Sequence, residues 1–403
     1  MNGYPPQSNK LLLFLLATLI SGCSSPDWLP GVGDKEHKSQ AIRSSLVAQP
    51  GQPTGLQESW KKSVASRPDD HFFHPVRFSV TSSDLFVATY QGNIVRMSRN
   101  EGSILWKKEI SESVKGGLAI DDKRVFAGTE DGEMVALSRT NGEELWRQKV
   151  STSVASAPVV SDGKVFFTTL DNRLYALNAE TGATLWVNNN APEMLVIMGA
   201  ASPTVDQDRL YVGYSSGDLH AVSMANGKLL WSDNLTVVGG RTELDLLQDI
   251  DAAVVIDGRD SLTTQRRLLF AVNHQGRLVA LSRDTGARIW SNDLSAIRRP
   301  LVWNDRLFVA DVDGNMRALG MEDGLELWRG NISDGLLTAP VRYKDLILVA
   351  DNKGRLFSLD PTSGRVLGLD RIGDPIIADP VVAGHDIYLW TNHGNMIHMQ
   401  MPQ

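Results

Sequence analysis

One pattern recurs about every forty residues from Leu85 onward, and nothing else in the chain restricts its fold so tightly. Each copy reads apolar segment, Gly, second apolar segment, second Gly, then Trp. The clearest copy is Val125-Phe126-Ala127-Gly128, Gly132, Ala136-Leu137, Gly142 and Trp146. Others end on Trp106, Trp186, Trp231, Trp290 and Trp328, and the third has Asn172 in place of its first Gly. In the seventh copy, Gly368 stands where Trp belongs. The eighth runs Ile387-Tyr388-Leu389 to Gly394 and stops short of its own Trp.

Alternating apolar segments joined at Gly-bearing turns are antiparallel strands. A further short segment opens most copies behind Pro75, Pro158, Pro203, Pro300, Pro340 or Pro380, and Pro is tolerated at a strand start. Four strands per forty residues is the period of a propeller blade. The expectation is therefore an all-β chain whose residues 54–403 form an eight-bladed β-propeller. One Trp per blade supplies a large wedge between neighbouring sheets, which makes these residues structural. Thr54-Gly55-Leu56-Gln57-Glu58-Ser59-Trp60 precedes the first blade and has the form of a displaced repeat tail. It is expected to pair into the last blade, with Trp60 in the Trp role, closing the ring and covering strand edges.

Charge and cysteine narrow the function. Hydrophobic residues at 42 % and charged residues at 22 % describe a folded domain. A formal net charge of -7, with no basic run, argues against a nucleic-acid surface. Cys23 is the single Cys, so internal disulfides and Cys-based metal sites are excluded.

The flanks of Cys23 explain it. Lys10 is the only charged residue before it, and the ten residues Leu11 to Ile20 are largely apolar. As a helix they rise about 15 Å, half a bilayer core, which fits the h-region of a signal peptide and not a membrane span. Ile20-Ser21-Gly22-Cys23 resembles the lipobox of bacterial lipoproteins. The expected organisation is a signal peptide over 1–22, then a lipidated Cys23 and flexible tether over 23–53. Pro26, Pro30, Gly31, Gly33, Pro50, Gly51 and Pro53 punctuate that tether without apolar periodicity. Ser24 after the Cys resembles outer-membrane sorting.

Ala280-Leu281-Ser282, Thr285-Gly286 and Trp290 resemble the PQQ-type repeat of quinoprotein dehydrogenases. Lipobox, tether and eight PQQ-like blades together resemble the BamB family, lipoproteins of the outer-membrane β-barrel assembly (BAM) machine. That resemblance implies a non-catalytic scaffold without a cofactor, lipid-anchored in the outer membrane and facing the periplasm. Its implied partners are the POTRA domains of BamA and other BAM lipoproteins, and unfolded outer-membrane proteins are a further candidate.

Two insertions break the repeat, and such breaks are where repeat proteins carry function. Trp186 and Trp231 are 45 apart, and Trp231 and Trp290 are 59 apart, where successive Trp positions are mostly 38 to 40 apart. The first insertion lies around Pro192–Ala201 and holds Leu195, Ile197 and Met198. It matches the family's aliphatic loop before Gly199, although Met198 replaces a basic residue common there. The second lies around Val237–Gln265 and alternates acids with aliphatics through Glu243, Asp245, Asp249 and Asp251. This resembles the loop with which BamB contacts BamA. The same loop also reads as a solvated acidic face or, with Asp-x-Asp, as a Ca²⁺ site, although the aliphatic spacing suits calcium poorly.

Two other functions stay open. A quinoprotein dehydrogenase carries an adjacent Cys pair over its cofactor, which a single Cys cannot form. A generic propeller that binds envelope polymers has no sequence feature in its favour. No H-E-x-x-H motif occurs, no G-x-S-x-G elbow is expected, and His71 and His74 are not expected to hold a metal.

Overall fold

The computed structural model describes residues 52–66, 78–89, 91–110, 113–114, 116–154, 156–190, 201–236, 250, 252–258, 267–273 and 276–402. Their strands form eight four-stranded antiparallel sheets. In chain order, blade 1 runs from Phe78 to Glu109, blade 2 from Leu118 to Lys149, and blade 3 from Val159 to Asn189. Blade 4 spans Thr204 to Asn234, blade 5 Val255 to Asp293, blade 6 Leu301 to Asn331, and blade 7 Val341 to Arg371. Within each of these, four successive strands are hydrogen-bonded in sequence order.

Blade 8 is built from both ends of the repeat region. Val381–Ala383, Asp386–Trp390 and Asn395–Gln400 supply three strands, and Gln57–Ser63 supplies the outermost. Trp60 faces His398 across that pair, after a register shift between Glu58 and Trp60. The same shift accompanies Trp146, which pairs with Ala136 while Glu144 pairs with Leu137. The expected closure by the N-terminal strand is therefore present, with Trp60 in the Trp role.

A row of three residues crosses most blades. In blade 2 it is Phe126, Ala136 and Trp146, in register on the second, third and fourth strands. Small Ala in the middle lets the flanking rings approach, their centroids 5.8 Å apart. Each Trp then presses on the next blade. Gly142 holds φ +74, and a Cβ there would lie 2.9 Å from Trp106. Only Gly meets both demands, left-handed backbone and no side chain. The contact repeats between Gly182 and Trp146, and between Gly102 and Trp60 across the closure. The Trp106 indole N–H also donates to the Arg139 carbonyl of the following blade at 3.0 Å. Blade 7 departs from the pattern, with Leu348, Ser358 and Gly368 in the row.

The apolar core lies at the seams. Eight clusters of buried side chains each draw on two neighbouring blades, for example Phe86, Ala88 and Ile94 of blade 1 with Val125, Ala127 and Val135 of blade 2. Burying a Leu or Phe stabilises by ~1.5–3 kcal/mol, so a blade without its neighbour loses most of its stabilisation.

The closing strand has ionic ties too. Asp374 lies 3.4 Å from Lys61 Nζ and 2.7 Å from His393 Nδ1, and accepts from Asn395 Nδ2 at 3.0 Å. Burial would raise its pKa. The hydrogen bonds from His393 and Asn395, with the Lys61 charge, outweigh that and hold it below the ordinary carboxylate value.

Deleting residues 54–62 removes a strand, a wedge and the closure together. A fall in melting temperature on the order of 10 °C, with aggregation, is expected in a thermal melt. For Asp374 the depressed pKa means stability that is complete above the ordinary carboxylate range and lost as pH falls through the lower folded value. Asp374→Asn should cost about 1 kcal/mol at pH 7 and flatten the acid limb of the stability–pH curve below about pH 4.

Candidate partner-binding site

The antiparallel order of each blade sorts the connections onto two faces. Turns between second and third strands share one face with the blade-to-blade links. Turns between first and second strands, and between third and fourth, share the other. Asn190 and Ala201, which bracket the first insertion, lie in the link from blade 3 to blade 4. Thr236 and Ala252 bracket the acidic stretch in the link from blade 4 to blade 5. Both predicted loops thus arise on the same face, from adjacent seams.

The second insertion is not the single loop that the sequence suggested. Val255–Ile256 forms the first strand of blade 5 and divides it. Residues after Ile256 up to Leu268 instead join the first two strands of blade 5, on the opposite face. Elsewhere that connection is short, as at Asp162-Gly163 between Val159–Ser161 and Lys164–Thr168. A spacing count between Trp positions cannot see a two-residue strand inside an insertion. Leu195, Ile197, Met198, Glu243, Asp245, Asp249 and Asp251 all lie outside the described residues, as do Cys23, His71 and His74.

The ground from which the loops spring is well defined. Asn172 has φ 57, the left-handed conformation in which Gly serves most other blades. Its side chain adds what Gly lacks. Ser215 Oγ of blade 4 donates to Asn172 Oδ1 at 3.0 Å. The Asn190 amide, at the start of the first insertion, donates to the Asn172 carbonyl at 3.2 Å. One buried residue thereby joins two blades and a loop stem. Leu170, in the same turn, is 42 % exposed. An exposed aliphatic side chain thus stands on the face from which the first insertion springs.

Ile250 fixes the end of the second. It is 1 % exposed within a cluster containing Ala201, Tyr211, Leu235 and Leu269. Its amide donates to the Tyr214 carbonyl at 3.3 Å, and a Cβ on Gly213 would come 2.4 Å from its Cγ2. Ile250, which Asp249 and Asp251 flank in sequence, is thus fixed to the ring. Val154 stands against Gly128 in the same way, so the anchor belongs to the fold and blade 5 uses it under a longer loop.

Tyr214 is a second departure from the repeat. At its position other blades place a short polar residue that caps the turn. Asn93 N donates to Thr89 Oγ1 at 3.2 Å, and Arg355 N to Asp351 Oδ1 at 3.0 Å. Tyr214 turns inward, its ring 5.0 Å from and edge-on to His220. Burial raises the Tyr214 phenol pKa and lowers that of His220, so both are neutral at pH 7. Tyr214 Oη and His220 Nδ1 are buried and lack hydrogen-bond partners. Sequence reading missed both residues; the signal available was a Tyr where other copies carry Thr, Asn or Asp.

Contrary to the expectation that no G-x-S-x-G stretch occurs, Gly213-Tyr214-Ser215-Ser216-Gly217 matches the spacing of a hydrolase nucleophile elbow. That elbow requires a strand-to-helix turn. Here the turn joins two strands, and the Ser215 hydroxyl is committed to Asn172. No group of three or more His, Cys, Asp or Glu among the described residues is arranged to hold a metal ion.

Comparison with known proteins agrees with this architecture. The family described as outer membrane protein assembly factor BamB matches residues 90–302 and 258–403. The chain belongs to the BamB family. BamB of Pseudomonas aeruginosa is 37 % identical over 331 residues, 81 % of each chain. The crystal structure of BamB from Moraxella catarrhalis superposes with a TM-score of 0.75 at 22 % identity, covering 86 % of this chain and 99 % of that one. A quinohemoprotein alcohol dehydrogenase from Comamonas testosteroni gives 0.68 at 14 % identity, covering 86 % and 76 %. The last likeness is one of fold alone.

Loss of the Ile250 anchor should be costly in itself. Ile250→Ala is expected to destabilise by ~2–5 kcal/mol in a denaturant melt. Asn172→Gly, which keeps the turn and loses the Ser215 bond, should cost only ~1 kcal/mol by the same measurement.

Proposed function

We propose that this BamB-family chain is a non-catalytic scaffold of the outer-membrane β-barrel assembly machine. It docks the POTRA region of BamA through the loops of blades 3 to 5 and assists insertion of barrel proteins into the outer membrane. The observation that carries the reading is that the link holding Leu195 and the link holding the acidic stretch spring from one face, at adjacent seams, in a chain of the BamB family. Exposed Leu170 and the aliphatics Leu195 and Ile197 give the apolar centre, and Glu243, Asp245, Asp249 and Asp251 give an acidic rim. That is the anatomy of a modest protein interface. Met198 adds apolar area where a basic residue is common in the family.

On this reading residues 1–22 are removed as a signal peptide and Cys23 carries the lipid anchor. The tether over 23–53 holds the propeller off the periplasmic face of the outer membrane. Several acyl chains on one Cys make the anchoring stable. The absence of any Cys besides Cys23 supports scaffolding over quinoprotein chemistry. Other BAM lipoproteins complete the assembly, and unfolded outer-membrane proteins are its clients.

The test is binding of the soluble chain, from residue 24 onward, to a purified BamA POTRA array. Leu195→Asp and the pair Asp249→Lys with Asp251→Lys should each weaken binding by at least about tenfold, ~1.4 kcal/mol, with an unchanged melting curve. Wild-type affinity in both variants would remove the loops from the interface. No binding by the wild type would remove the partner.

A further inference from the structure

We infer that Gly368 is a socket for the segment that enters the ring, so that the N-terminal tether leaves the propeller at the edge of blade 7 and not freely from the closing strand. This rests on the tether reading above for its functional meaning, but the socket itself is a matter of geometry. Gly368 occupies the place that Trp takes in every other blade. A Cβ there would lie 2.6 Å from Thr54 Cα and 2.8 Å from the Pro53 carbonyl oxygen. Backbone of the incoming chain fills the volume of the missing indole.

The segment is bonded as well as fitted. Leu369 N–H donates to the Gln52 carbonyl at 2.9 Å. Thr54 N–H donates to Asp370 Oδ1 at 3.2 Å, and the Thr54 hydroxyl donates to the other carboxylate oxygen. Thr54 and Leu56 are each 8 % exposed. Gln52 and Pro53, which the sequence reading placed in the tether, are thus already held by blade 7.

The next residue shows what was exchanged. Gly55 keeps the left-handed conformation of the other tail glycines, φ +83, yet no atom lies within 4 Å of the Cβ it would carry. In the other seven blades that glycine rests on a Trp, as Gly364 rests on Trp328. Blade 7 has given up the wedge while blade 8 keeps the platform glycine, and the freed volume receives the chain.

Two consequences follow for a lipid-anchored propeller. The chain leaves the ring at the seam of blades 7 and 8, three to four blades from the two links that carry Leu195 and the acidic stretch, on the face opposite theirs. The exit of the chain and the stems of those links thus lie on opposite faces of the ring. Tension on the tether also meets the Gln52 and Thr54 bonds before it reaches Gln57–Ser63. The socket is a strap that shields the closing strand from being peeled away from its free end.

Restoring the repeat tests this. Amide exchange is measured on full-length lipidated protein in nanodiscs for wild type and Gly368→Trp. The new indole competes for the volume now held by Pro53 and Thr54 and meets the vacant platform of Gly55. Exchange over residues 52–63 should rise by about tenfold or more, with blades 1–6 as protected as in wild type. Thr54→Val combined with Asp370→Ala breaks the same strap without adding bulk, and it provides the reading if the Trp variant does not fold. Wild-type protection over 52–63 in a folded variant overturns the proposal. Binding to BamA POTRA domains should be retained in both, since blades 3 to 5 are untouched. Failure of wild-type binding would count against the scaffold reading and leave the exchange result standing.

Discussion

The fold depends on a Trp of one blade lying against a Gly of the next. A four-stranded sheet with two apolar faces cannot stand alone in water, and each buried cluster here belongs to two blades. The indole provides area, the glycine provides approach, and an indole N–H to a neighbouring carbonyl fixes the angle between sheets, as between Trp146 and Ala179 at 3.0 Å. Seven seams use the contact. The same geometry repeated round a circle leaves the last blade incomplete until Gln57–Ser63 joins it, so ring closure and blade stability are one problem.

A second level of organisation appears where the repeat is broken. Asn172 for Gly, Tyr214 for a short polar cap, and the longer links around them all fall at the seams of blades 3, 4 and 5. Gly368 for Trp falls at blade 7, and His398 for Ala at blade 8, where it faces Trp60 and lies 2.9 Å from Asp386. Substitutions that would weaken an ordinary blade are tolerated where another part of the chain or a loop stem takes up the space. The departures mark the entry of the chain into the ring, the closure and the insertion-bearing face.

Much of this was legible in the residues. Period, blade number, closure by Thr54–Trp60 and the structural role of Trp follow from spacing, because side-chain alternation and Gly turns report strands directly. The lipobox-like segment at Cys23 and the excess length near Leu195 and Asp249 were also visible. What spacing could not give was position in space. It merged two insertions on opposite faces into one, since Val255–Ile256 is too short to register. It could not show that Ile250 is the buried anchor between two acids, because burial depends on Gly213 from another strand. Gly368 was visible as a missing Trp, yet its meaning required seeing Pro53 and Thr54 in the vacated volume.

The central claim is that one sector of the ring, blades 3 to 5 on the insertion-bearing face, meets BamA while the rest does not. A photo-cross-linking amino acid placed in living cells at Leu170, Leu195 or Asp249, and in turn at Leu327 of blade 6 or Ile104 of blade 1, addresses it directly. The account predicts cross-links to BamA from the first group and none from Leu327 or Ile104. Equal cross-linking around the ring, or BamA captured only from Leu327 and Ile104, would contradict it.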